Sequence, residues 1–106
     1  MKMNAYGFLA GAVVVNPVAN ALIAQTEILS GIGGYQVEVL IFCDVPAYFL
    51  IQLLDGVGGV IQSQRVSTDM STFRSIPMNF MVSTAGQKIR VIAQQDISGT
   101  AQASFA

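Results

Sequence analysis

Histidine and tryptophan are absent from this 106-residue chain, cysteine occurs once, and charge is scarce, with five Lys or Arg against six Asp or Glu. Each absence excludes a chemistry. Without an imidazole, no ordinary base stands ready to activate a Ser or Cys nucleophile, and six dispersed carboxylates are thin material for acid–base work, so an enzyme is not expected. One thiol and no imidazole exclude a zinc centre. A lone cysteine also excludes an internal disulfide, and Cys43 follows the apolar run Val39, Leu40, Ile41 and Phe42, where a small buried hydrophobe fits better than a reactive thiol. Lys2, Arg65, Arg74, Lys88 and Arg90 are scattered along a chain of net charge −1, which gives no basic field for a nucleic-acid partner.

No cofactor or metal is expected either. The Gly-rich stretches 31–34 and 56–59 lack the Gly-Lys-Ser/Thr of a phosphate loop and open no helix, so both read as turns. Asp55 in the second stretch lacks the further carboxylates of a calcium loop. Asp44, Asp55, Asp69 and Asp96 all fall at strand ends or loops, where a carboxylate ordinarily satisfies turn amides.

What the chain does have is apolar bulk, 53% of its residues, and an uncharged polar exterior rich in Gln, Ser and Thr. A domain of this size buries only about 60 to 65% of the surface its unfolded chain exposes. It would normally cover the remainder with charge. Neutral amides and hydroxyls are covered by a neighbouring subunit at smaller desolvation cost than Lys or Glu, so the composition points to an assembly component.

Organisation is that of one domain. Between Lys2 and Glu27 no side chain is charged, and three readings of that stretch compete. A membrane span is interrupted by Asn16, Pro17 and Asn20, so no membrane partner is expected. A secretory leader would use Lys2, the apolar residues 8–15 and the Ala19-Asn20-Ala21 signal. The preferred reading is an N-terminal arm or first strand over residues 1–20, followed by a single domain over 21–106.

From Gln25 onward, alternation of period two recurs between turn signals. Residues 35–44 put Tyr35, Val37, Val39, Ile41 and Cys43 on one face. Residues 48–55 and 60–66 flank the Gly-rich reversal and form the clearest hairpin. Residues 67–75, rich in Ser, Thr and Asp, read as a connection, after which Ile76, Met78, Phe80 and Val82 are in register. Ile89, Val91 and Ala93 continue the inward set, and residues 100–105 make a last short strand suited to an edge. Residues 21–29 are ambiguous between a short helix and a strand. Seven or eight such strands define an all-β fold, a small antiparallel β-sandwich whose connections admit a jelly roll.

From Pro77 onward, the residues Phe80-Met81-Val82, Ala85-Gly86-Gln87, Lys88-Ile89-Arg90-Val91 and Gly99-Thr100-Ala101-Gln102-Ala103-Ser104 resemble the C-terminal half of small virion proteins of tailed bacteriophages. That resemblance implies a capsid cement or decoration protein on the virion surface, a homo-oligomer with a trimer favoured, bound to the major capsid protein. On that expectation Tyr6, Phe8 and Leu9 form a clasp, and Ala101, Ala103 and Phe105 an inter-chain edge contact. The alternatives are a phage-fibre or secreted carbohydrate-binding β-sandwich module, with Tyr35 or Tyr48 stacking on a sugar ring, and an exported pilus or matrix subunit. Against the sugar-binding alternative, both tyrosines sit in strongly apolar runs.

Overall fold

A computed structural model describes residues 2–3, 9–10, 13–26, 29, 31–69 and 72–105. The strands follow the alternation read from the sequence. In chain order they are β1 (Lys2–Met3), β2 (Leu9–Ala10), β3 (Val14–Val15), β4 (Leu22–Gln25), β5 (Gly33–Cys43), β6 (Ala47–Leu54), β7 (Val60–Thr68), β8 (Thr72–Val82), β9 (Lys88–Ala93) and β10 (Thr100–Phe105). The protein is an antiparallel β-sandwich of two sheets.

In the first sheet β5 is central, paired with β8 along its whole length on one edge and with β10 on the other, where β1 adds a short parallel contact. The far edge of β10 carries β3 at its start and β2 at its end. The second sheet runs β4-β9-β6-β7. Every second residue of the long strands points between the sheets, so Val39 and Ile41 of β5, Phe80 and Val82 of β8, Phe49 and Ile51 of β6, and Ile89 and Val91 of β9 form one dry core. Cys43 is within it, fully buried.

Within residues 21–29 the structure has a strand and not a helix at Leu22–Gln25, with Leu29 adding an isolated bridge to Gln87. The Thr26 hydroxyl extends this pairing by accepting a hydrogen bond from the Ile89 amide at 3.1 Å. In the hairpin reversal, the Asp55 carboxylate accepts from the amides of Val57 (2.9 Å) and Gly59 (2.7 Å). A Cβ on Gly59 would stand 2.6 Å from Asp55 Oδ2, so a larger residue there would push the Asp55 carboxylate from its place in the turn.

Two expectations are corrected. The polar stretch 67–75 is mostly strand, because β7 continues to Thr68 and β8 already begins at Thr72. Ser and Thr there fill ladder positions, Ser75 opposite Leu40 for example. The last strand does not lie on an edge either. β10 is paired on both sides, and Ala101, Ala103 and Phe105 are each 1% exposed. Ala101 and Ala103 are part of the buried core together with Phe105.

One edge of the first sheet is β8. Its Asn79 carbonyl accepts from Gln62 Nε2 of β7 at 3.5 Å, so the odd-numbered residues turn their backbone away from β5. Pro77 belongs to that set, and its missing N–H therefore falls on the open side, where it blunts the edge against further pairing.

Residues 16–21 are tied to residues 93–99. Asn16 N donates to Gly99 O while Asn16 Oδ1 accepts from the Gly99 amide, Pro17 O accepts from Ile97 N, and the Asp96 carboxylate accepts from Ala19 N. Asn16 and Asn20 adopt positive φ (48° and 70°), which asparagine tolerates better than most side chains.

Candidate functional site

The register of the second sheet determines what its outer face presents. Because Phe49, Ile51 and Leu53 point inward, β6 turns Tyr48, Leu50, Gln52 and Leu54 outward. Tyr48 stands opposite Ser67, Leu50 opposite Arg65 on β7 and Ile92 on β9, Gln52 opposite Arg90, and Leu54 opposite Lys88. Leu22 and Gln25 of β4 complete the face beyond β9.

Tyr48 is the distinctive group on it. The residue is 44% exposed, and Arg65, its diagonal cross-strand neighbour, lays its guanidinium 3.9 Å from the ring centroid. Such diagonal pairs are within reach of long side chains, and an exposed cation over a ring contributes about 0.5–1 kcal/mol. The backbone under the ring is anchored twice, since Tyr48 N donates to Gln95 Oε1 and Tyr48 O accepts from the Gln94 amide. Arg65 covers one ring face. Beside Tyr48 lies a cleft of about 270 Å³ lined by Pro46, Ala47, Ser67, Thr68, Asp69 and Gln95.

On the adjacent strand β9, Arg90 Nε donates to Gln52 Oε1 at 2.8 Å, which places the guanidinium over the middle of the sheet. Gln52, although outward, is only 7% exposed. The site is thus an aromatic ring and two guanidiniums, one over that ring and one bonded to Gln52, on a sheet face with aliphatic patches between them. It can stack on a flat apolar ring, donate hydrogen bonds to hydroxyls or carboxylates, and hold negative charge.

Elsewhere Asp44, Asp55 and Asp96 accept backbone hydrogen bonds that hold turns and strand ends. Asp44 Oδ1 accepts from both the amide (2.7 Å) and the hydroxyl (2.9 Å) of Thr100, and the Thr100 amide first, then its hydroxyl, hold the Asp44 carboxyl below the usual value of 3.8. Among the described residues no three His, Cys, Asp or Glu side chains come together to hold a metal ion, and no helix is long and apolar enough to cross a membrane.

Of the residues singled out from the sequence, Tyr6 and Phe8 lie outside the described residues, and Leu9 pairs with Phe105 in the first sheet. Ala101, Ala103 and Phe105 are core residues, and the surface contact expected of them is withdrawn. Tyr35 is also buried, its hydroxyl donating to Gly31 O and accepting from Gly31 N. Tyr35 is thus sequestered as its apolar run implies, whereas Tyr48 is not. Gln52 is the signal that could have shown it: one amide in an apolar run marks the outward parity, and Tyr48 shares that parity.

No family model matches the chain, and no curated protein matches it. Among solved structures it is similar to the carbohydrate-binding module CBM4, with TM-score 0.63 and 10% identity over 92% of this chain and 67% of that one. It is similar also to the CBM22-1–GH10 modules of endo-1,4-beta-D-xylanase 10B from Clostridium thermocellum complexed with xylohexaose, with TM-score 0.64 and 14% identity over 91% of this chain. A third likeness is to BiXyn10A CBM1 in its apo form, with TM-score 0.58, 12% identity and 88% of this chain covered. The chain spans 21% of the xylanase chain and about two thirds of the other two. At these identities the likeness concerns the fold: the two-sheet sandwich seen in carbohydrate-binding modules.

Proposed function

We propose that the chain is a non-catalytic carbohydrate-binding β-sandwich module that uses the outer face of the second sheet, centred on Tyr48. The observation that carries this reading is an exposed aromatic ring braced by Arg65 on a rigid strand beside an open cleft. A sugar presents an apolar C–H face that packs on such a ring, and equatorial hydroxyls that accept from fixed donors such as guanidinium N–H. The fold likeness to carbohydrate-binding modules supports the reading without specifying a ligand.

Affinity electrophoresis through gels containing soluble polysaccharides tests it. The wild-type protein is expected to be retarded by at least one polysaccharide, Tyr48→Ala to lose that retardation, and Tyr48→Phe to keep it. Wild-type migration unaffected by every neutral and acidic polysaccharide would refute the proposal.

A second reading, a subunit of a homo-oligomeric shell such as a capsid cement protein on its major capsid protein, is favoured by the exposed aliphatics Val13, Val15 and Val18 beside β3. The mass of the purified protein in solution, with and without capsids, discriminates the two.

A further inference from the structure

Charge on the same face narrows the ligand class. The five basic residues are scattered in the sequence, yet three of them, Arg65, Lys88 and Arg90, converge on the outer face of the second sheet. No Asp or Glu occurs within β4, β6, β7 or β9. The carboxylates nearest these strands in sequence are Asp55, engaged by the Val57 and Gly59 amides, Asp69, at the rim of the cleft, Asp96, engaged by the Ala19 amide, and Glu27, which lies outside the described residues. Both guanidiniums are held by neutral partners, the Tyr48 ring and Gln52 Oε1, so their charge is not consumed internally. On a chain of net charge −1 this is, among the described residues, a segregated basic face. Glu38 sits on the opposite side of the sandwich, exposed on β5.

Spacing supports a ligand that runs diagonally across the strands. Arg65 and Arg90 are two strands apart and offset by two residues along β6, which places their backbones about 12 Å from one another. Lys88 continues the line by another two residues, about 7 Å. The cations are therefore spread along a path, with the ring at one end, and are not gathered at a point.

Resting on the carbohydrate-binding reading, we infer that this face takes an acidic polysaccharide, a uronate-bearing chain whose carboxylates meet Arg65, Arg90 and Lys88 while one sugar ring packs against Tyr48. Planar carboxylates match the guanidinium fork, and three spaced cations suit a chain of moderate charge density. A single-stranded nucleic acid would be held by a series of stacking rings, whereas Tyr48 is the one aromatic residue among the outward positions just described.

The test measures retardation by polygalacturonate, neutral xylan and a single-stranded oligonucleotide, using the whole chain. The expected result is preferential binding to polygalacturonate that weakens with added salt and falls about tenfold or more in Arg65→Gln/Arg90→Gln, with Glu38→Gln as the unaffected control. Should the double variant fail to fold, Lys88→Glu must show the weakening in its place. Binding to xylan equal to or tighter than binding to polygalacturonate overturns the inference and leaves the module reading standing. Absence of binding to any polysaccharide overturns both, and equal retention of the oligonucleotide overturns the inference in favour of a general polyanion surface.

Discussion

Replacing Phe105 with alanine separates a core residue from an inter-chain contact. Phe105 is opposite Val39 on one side of β10 and opposite Leu9 on the other, and only 1% of it is exposed. Truncation removes a large side chain from between two sheets that are each pinned by ladder hydrogen bonds, so the space cannot close completely. Phe→Ala changes in such sites cost about 3–5 kcal/mol. A domain of this size has about 5–15 kcal/mol in all, and each kcal/mol moves the melting point by roughly 4 °C, so a fall of about 12 °C or more is expected. Thermal melts followed by circular dichroism, repeated over a range of protein concentrations, provide the readout. Were Phe105 instead an exposed edge contact, truncation would alter monomer stability by about 0.5 kcal/mol or less. A shift below about 4 °C, accompanied by dissociation of an oligomer, would refute the burial argument.

Thr26→Val keeps the shape of a buried side chain while deleting the acceptor of the Ile89 amide. It should cost about 1–3 kcal/mol and accelerate hydrogen exchange at Ile89 selectively, which amide-resolved exchange would detect. The Asp44 carboxyl is held below its ordinary value of 3.8, so the folded state favours the ionised form; its contribution is present above that value and lost as pH falls through the lower folded one. The melting temperature of wild type should therefore exceed that of Asp44→Asn at neutral pH, with the gap narrowing below about pH 4, and a gap that widens on acidification would contradict the assignment.

Much of the fold is legible in the pattern of side chains. Alternation in residues 35–43 and 76–82 reports two strands with one dry face each, because a pleated strand sends successive side chains to opposite sides. The Gly-rich reversal reports the hairpin, because an Asp followed by glycines can satisfy its own turn amides. Polar strand residues are harder to read. Residues 72–75 look like a loop until β5 supplies partners for them, and the small residues of β10 look like an edge until β2, β3 and β5 enclose them.

The candidate site was less legible. Its residues come from β6, β7 and β9, and Arg65 precedes Arg90 by a whole strand of the other sheet. In the linear chain the basic residues look dispersed and Tyr48 looks buried. Only cross-strand register brings Arg65 onto the Tyr48 ring and Arg90 onto Gln52.

By itself, then, the sequence determined an all-β body with one apolar core, no metal-binding histidine and no internal disulfide, since those follow from residue types and local period. Tertiary structure alone decided that the last strand is interior, that one tyrosine of an apolar run faces outward, and that three basic residues share a sheet face. Such properties depend on which strands pair and in what register, and those pairings are settled by packing the whole sandwich at once.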